Sequence, residues 1–129
     1  MRVRLALHAV VLGLFLVPVL SAQDAVKVDS EHYTVITDNA EVRVLRVHYG
    51  AHEKSIMHSH PDSVAIFLTD ASIEFTVPGG KKESRTVKAG DAQFAPAGTH
   101  LPENTGDKGM DLILVELKGK SAMAKSDMK

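Results

Sequence analysis

The chain of 129 residues has no cysteine and no tryptophan, and aromatic residues make up only 5% of it. Without cysteine there is no disulfide framework, no thiol nucleophile and no thiolate metal site. With so few aromatic rings, any core must be built from Val, Ile, Leu, Ala and Met. An excess of one charge is lacking too: 15 Lys+Arg stand against 16 Asp+Glu, a formal net charge of -1. A near-neutral balance without a basic stripe argues against a nucleic-acid binder. The sequence holds no phosphate-cradling glycine loop, no serine in a nucleophile context and no carboxylate pair at general acid–base spacing. What it does hold is a hydrophobic fraction of 44%, enough for the core of one modest domain and too much for a disordered chain.

The long apolar run, Leu5 to Leu20, is broken only by His8, follows Arg2 and Arg4, and is followed by Ser21 and Ala22. A positive start, an apolar centre and a small-residue end predict a secretory signal peptide over residues 1–22. The run is shorter than the roughly 20 residues of a spanning helix, and a retained N-terminal anchor is the rival reading. Cleavage is expected after Ser21, Ala22 or Ala25. On this reading the mature protein is mildly acidic, works in the periplasm or as a secreted protein, and keeps no membrane attachment. The lack of cysteine suits that oxidising space. At the other end, residues 119–129 carry lysines and serines without a packing pattern, which predicts a disordered Lys-rich tail.

The stretch between, residues 31–118, reads as one all-β domain. Short β-rich runs alternate with turn residues: Tyr33 to Thr37, Glu41 to Tyr49, Ser63 to Thr69, Ser72 to Val77, Glu83 to Lys88, Asp91 to Ala95 and Asp111 to Leu117. In the second run, Val42, Val44 and Arg46 face one way, and Leu45 and Val47 the other. Asp38-Asn39 signals a turn, and Pro78-Gly79-Gly80 predicts a hairpin loop. No window shows a helical period. Many short strands at regular spacing predict a sandwich or barrel.

Of the 7 histidines, all but His8 lie beyond the leading apolar run. His32 and His48 read as exposed strand residues. His58 and His60 flank Ser59, and residues two apart on a strand point to the same face. Two imidazoles held that way make a bidentate metal site, whereas two protonated rings would repel each other. Downstream stands Gly90, five residues, Pro96-Ala97-Gly98, then Thr99, His100, three residues and Asn104.

These two segments resemble the two signature motifs of the cupin superfamily, over roughly residues 40 to 118. The resemblance implies a cupin-type double-stranded β-helix, a jelly-roll barrel of two antiparallel sheets, with His58, His60 and His100 as ligands of a divalent metal. Three departures are visible. His52 stands where the first motif carries its glycine, and is expected to avoid a positive φ. One residue, not two, separates Gly98 from His100. The first motif's glutamate is missing, because Val64 and Ala65 occupy its positions. His52 and Glu53 are therefore the candidate additional ligands, with Glu103 a weaker one.

Three neutral imidazoles suit Fe, Zn, Ni or Cu, and Mn less well. The pocket is expected to be walled by Met57, Val64, Ile66, Leu68, Phe94 and Val115, with Asn104 beside it holding a turn. Glu74 and Arg85 are expected to pair across the hairpin. Together with the export expected from the leading apolar run, the resemblance implies a small cupin that binds or transforms a small organic molecule, with metal-assisted oxygenation or isomerisation of a small acid as the enzymatic form. The alternatives are a non-catalytic periplasmic ligand- or metal-binding module, and a cupin that has lost its metal. Sheet edges needing cover, with the strand near Tyr33 added to a partner's sheet, suggest a homodimer.

Overall fold

The computed structural model of the protein describes residues 23–119. Residues 1–22, expected to be a signal peptide, and residues 120–129 of the expected tail lie outside the described residues. The described chain runs α1 (Ala25–Val28), β1 (Tyr33–Asp38), β2 (Val42–Tyr49), β3 (His58–His60), β4 (Ser63–Phe67), β5 (Ala71–Thr76), β6 (Lys82–Val87), β7 (Ala92–Ala95), β8 (Gly98–Asn104) and β9 (Met110–Leu117). The strands form a five-stranded sheet in the order β1-β2-β9-β4-β7 and a four-stranded sheet in the order β3-β8-β5-β6. Strand pairing is antiparallel throughout. The expected all-β architecture of two antiparallel sheets is what the chain adopts.

Period-two alternation decides what faces the core. In β2, Leu45, Val47 and Tyr49 are buried, while Arg46 and His48 are exposed. Their β9 partners Leu114, Leu112 and Met110 are buried opposite them. Tyr33 of β1 bonds through its hydroxyl to that of Tyr49 at 2.7 Å, so both phenols are engaged inside the core. Asn39 turns β1 into β2 by accepting the amides of Glu41 and Val42 at 2.8 and 2.9 Å. Gly79 and Gly80 sit at φ 95° and 92°, a conformation glycine adopts without steric cost, so the hairpin between β5 and β6 falls where expected.

The alternation in β4 and β9 differs from expectation by one residue. Ser63, Ala65 and Phe67 face inward with Leu112, Leu114 and Glu116. Val64, Ile66 and Val115 therefore lie on the outer face, where Val44, Val115, Val64 and Phe94 form one cross-strand row. Leu68 is 46% exposed beyond the end of β4. Both faces of these strands are apolar, so hydrophobicity did not mark which one is covered.

A helical element was not expected, and α1 is one short turn. Its cap is the Asp24 carboxylate, which accepts the Val26 amide at 3.2 Å. The turn fastens one seam between the sheets. Ala25 is fully buried, and the Ser59 amide bonds to Gln23 O at 2.8 Å, tying the segment to β3. At the other seam, edge strands β6 and β7 enclose a cavity of about 240 Å³. Its exposed lining residues, among them Arg85, Phe94, Ala95 and Gly98, mark the mouth. No helix of the described residues is long and apolar enough to cross a membrane.

Candidate metal centre

Two short-range facts bring three imidazoles together. His58 and His60 alternate to the same face of β3. His100 of β8 is the direct antiparallel partner of His58. The ring centroids of His58 lie 4.8 Å from His60 and 5.0 Å from His100, and those of His60 and His100 are 5.3 Å apart. Each ring offers one nitrogen such that all three lie within 4.8 Å of one another.

The Nδ1 contacts fix which nitrogens converge. His58 Nδ1 faces the Ile56 carbonyl at 2.8 Å. A carbonyl only accepts, so Nδ1 carries the proton and Nε2 the lone pair. His60 Nδ1 likewise faces Glu116 Oε1 at 2.8 Å and donates to it. Among the described residues, the buried Nε2 atoms of His58 and His100 have no hydrogen-bond partner. Buried polar atoms are rarely left alone, and here two orphans point into one cluster.

Burial, and secondarily the neighbouring His60, pushes the His58 pKa down to about 4. Burial, followed by His58 and His60, pushes that of His100 down to about 3. Both rings are thus neutral at physiological pH, the form in which imidazole ligates a metal. The donor set, three clustered imidazoles of which His58 and His100 are neutral and unpartnered at Nε2, fits a divalent transition metal. Flanking rings hold the cluster in place. Phe75 stacks on His100 at 5.2 Å and 24°, and Tyr33 meets the His58 ring edge-on at 4.9 Å.

Behind the cluster lie two polar networks. In one, Glu116, only 2% exposed, accepts from His60 through Oε1 and from Arg43 Nε through Oε2 at 2.6 Å. Asp24 then clamps the Arg43 guanidinium with two bonds of 2.7 and 2.8 Å. Burial works to raise the Glu116 pKa, but the bonds to His60 and Arg43 outweigh it and hold the carboxyl below its ordinary range. In the other, Ser55 Oγ lies 3.2 Å from His58 Nδ1 and donates to Asp29. Asp29 accepts from His32 Nδ1 at 2.7 Å, and His32 Nε2 reaches Glu53 at 2.9 Å. Burial acts to lower the His32 pKa, yet Asp29 and Glu53 outweigh it and raise the value.

The structure thus brings together His58, His60 and His100 and separates them from the other candidates. His52 is exposed, bonds Asp107 at 2.8 Å, and adopts φ 61°. The left-handed conformation of the motif's glycine is therefore kept here by a histidine, against the expectation that it would be avoided. Glu53 is directed away from the cluster, onto His32 and the Gly50 amide at 2.8 Å. Glu103 pairs across β8 and β5 with Glu74. His32 is not an exposed strand residue, since its side chain is 12% exposed and stacks on Tyr49 at 4.3 Å. His48 is exposed, as expected, beside Asp111.

The expected pocket wall needs the same revision. Met57, Val64, Ile66, Leu68 and Val115 do not line the cavity, and Phe94 touches it only at the mouth, with 60% of its surface exposed. The inner wall is instead made of Ala65, Ile73, Phe75, Leu112 and Leu114, with His60 and His100 reaching into it. Asn104 is not a wall residue. It holds the turn before β9, donating to Gly50 O and Lys108 O at 3.0 and 2.8 Å and accepting from Gly106 N at 3.0 Å. Glu74 pairs with Lys82 at 2.7 Å rather than with Arg85, because Glu74 and Arg85 face opposite sides of the hairpin.

Glu116 is the functional residue that the sequence reading missed. Its signal was available: it extends the series Leu112, Leu114 at the same parity, and a carboxylate on an inward-facing strand position needs a partner.

No protein-family model matches the chain, and no curated protein is significantly similar to it. Solved structures do match. A cupin domain from Bordetella pertussis is 24% identical at a TM-score of 0.63, with 67% of this chain and 92% of that one covered. A conserved double-stranded β-helix protein from Klebsiella pneumoniae is 21% identical at a TM-score of 0.55, with 68% and 76% covered. The DMSP lyase DddQ from Ruegeria pomeroyi is 17% identical at a TM-score of 0.51, over 69% of this chain and 48% of that one. These likenesses are likenesses of fold.

Proposed function

From a chain that has the cupin fold, we propose a protein that binds one divalent transition metal through Nε2 of His58, His60 and His100 and admits a small organic molecule to the adjoining cavity. The observation that carries this reading is the pair of orphaned Nε2 atoms converging with a third imidazole. Fe, Zn, Ni and Cu suit the donor set best, and Mn less well. A bound ion supplies Lewis-acid or redox chemistry at the positions that three protein ligands leave open. The chain does the rest. Burial keeps His58 and His100 unprotonated, Glu116 fixes the tautomer and orientation of His60, and the apolar wall limits water beside the cluster. Metal-assisted oxygenation or isomerisation of a small acid is the enzymatic form of this proposal. That a lyase shares the fold shows that such a frame supports catalysis in another protein.

One observation favours a second, non-catalytic reading. Among the described cavity-lining residues, Glu83 is the sole carboxylate, and it lies at the mouth. Burial raises the pKa values of both lining tyrosines, Tyr33 and Tyr49, above the ordinary tyrosine range, further from use as proton donors and acceptors near neutrality. A periplasmic binding module needs no proton shuttle and suits this lining.

The test is metal content after reconstitution of the full mature chain with Zn, Ni and Fe(II). About one equivalent is expected, with His100→Ala losing it while the melting curve of the metal-free protein moves little. A wild-type chain that retains no metal overturns the proposal. Oxygen uptake or isomerisation across a panel of small acids separates enzyme from binder.

We further propose export, with residues 1–22 removed. The charge and hydropathy pattern supports it. Cleavage after Ser21 or Ala22 keeps Asp24 on Arg43 and Ala25 in the core, whereas cleavage after Ala25 would discard both. The mass of the protein recovered from periplasm tests this. A mature chain that retains Asp24 is expected, and an intact N-terminus contradicts it.

A further inference from the structure

Three arginines lie among the described residues, and two are matched by carboxylates. Arg43 is held by Asp24 and Glu116, and Arg46 lies 3.7 Å from Asp111. Arg85 has no carboxylate partner among the described residues, and among them it is the sole arginine or lysine lining the cavity. Its strand explains its position. Glu83, Arg85 and Val87 alternate to the cavity face of β6, with Val87 buried and Arg85 near the mouth.

Its guanidinium is also placed. The Arg85 Cζ lies 5.8 Å from the centroid of Phe75, and Phe75 in turn stacks on His100. Arginine, phenylalanine and imidazole thus form one column from the mouth to the histidine cluster. An arginine packed on an aromatic ring keeps its donor edge free for a planar anion. Glu83 does not occupy that edge, since its carboxylate lies 3.4 Å from Lys81. It does place a negative charge beside the site, which disfavours a ligand with two negative charges. Between the mouth and the cluster, Ile73, Phe75, Leu112 and Leu114 offer apolar contact. The volume of about 240 Å³ lies below the roughly 300–1,000 Å³ of pockets for drug-sized ligands.

We infer that Arg85 is the anion-anchoring end of this cavity, and that its ligand is a small monocarboxylate with an apolar body, the carboxylate on the guanidinium and the far end toward the three histidines. The inference rests on the proposal that the cavity is the ligand site, and it deepens that proposal by naming the ligand class. Bidentate guanidinium–carboxylate bonds are charge-assisted and directional. Lysine in the same place would supply the charge without the fork.

The experiment uses hexanoate, hexan-1-ol, hexylammonium and adipate as probes, titrated by NMR into the full mature chain, zinc-loaded and zinc-free. Zinc content is measured separately. Hexanoate is expected to bind in both states, to shift the Arg85 Nε–H resonance, and to bind more tightly than the other three. Arg85→Gln is expected to weaken hexanoate by about tenfold to a hundredfold at unchanged zinc content, and Arg85→Lys to restore part of the loss. Equal hexanoate affinity in wild type and Arg85→Gln overturns the inference, as does a failure of all four probes to bind. Hexanoate binding that vanishes with zinc but survives Arg85→Gln puts the carboxylate on the ion, overturning this inference and leaving the metal proposal standing. Arg85-dependent binding by a chain that takes up neither Zn, Ni nor Fe(II) supports the anchor and overturns the metal proposal.

Discussion

The two sides of the histidine cluster are built in opposite ways. Behind it, His58 Nδ1 meets Ile56 O and Ser55, His60 Nδ1 meets Glu116, and Glu116 is braced by Arg43 and Asp24. In front of it, the Nε2 atoms of His58 and His100 meet nothing among the described residues. A core that merely accommodated three histidines would have partnered both nitrogens of each, since an unpaired buried polar atom costs about 1–3 kcal/mol. The asymmetry is that His58 and His60 are held from the rear, while Nε2 of His58 and of His100 is left without a partner at the front.

Removing the rear support has the largest expected effect. Glu116→Ala leaves Arg43 with one carboxylate fewer and frees His60 to rotate. Breaking a buried pair in this way costs about 3–5 kcal/mol, to be read from chemical denaturation of the metal-free protein. Glu116→Gln keeps the shape but removes the charge and the defined acceptor. It is expected to weaken zinc binding about 10–100-fold in a competitive titration, with a smaller loss of stability. If both variants bind zinc as the wild type does, Glu116 does not position His60.

Acid tests the front. His58 and His100 have folded-state pKa values of about 4 and about 3, below the ordinary imidazole value of roughly 6.5. Below that ordinary value the unfolded chain binds more protons than the folded one, so stability falls with falling pH. Metal-free protein is therefore expected to lose on the order of 3 kcal/mol for each of the two rings between neutrality and pH about 4. His100→Ala should flatten that dependence, and an unchanged profile in this variant would contradict the assignment.

Ala65 offers a gain rather than a loss. By the motif resemblance it stands at one of the two positions of the missing glutamate, and it lines the cavity, while Val64 faces outward. Ala65→Glu is expected to add a carboxylate beside the imidazoles and to shift preference toward harder ions, raising Mn affinity by about tenfold. The smallest effect belongs to His52. Its left-handed backbone costs a non-glycine residue roughly 1–2 kcal/mol, and glycine forfeits about 0.5–1 kcal/mol of that in chain entropy. His52→Gly should stabilise the fold by about 0.5–1 kcal/mol without altering zinc binding.

Part of this was legible in the residues. His58 and His60 share a face because strands alternate, and the Gly90 to Asn104 pattern identified His100 as their partner. The turn at Asn39 and the glycine hairpin followed from local chemistry. The cavity wall was not legible, because β4 and β9 are apolar on both faces: Val64 and Ile66 outside look like Leu112 and Leu114 inside. Glu116 would have broken that tie, since the face that buries it is the face with the partner for it. His52 and Glu53 were favoured for their closeness along the chain. The left-handed turn at His52 and the hydrogen bond from His32 send both elsewhere, and neither effect shows in spacing.

The most direct test is a zinc titration followed by long-range ¹H–¹⁵N NMR of the imidazoles. The expected result is that His58, His60 and His100 alone show coordination shifts at Nε2, with Nδ1 of His58 and His60 still protonated toward Ile56 and Glu116. Nε2 signals of these three rings that do not move, or that move no more than those of His32, His48 and His52, would contradict it.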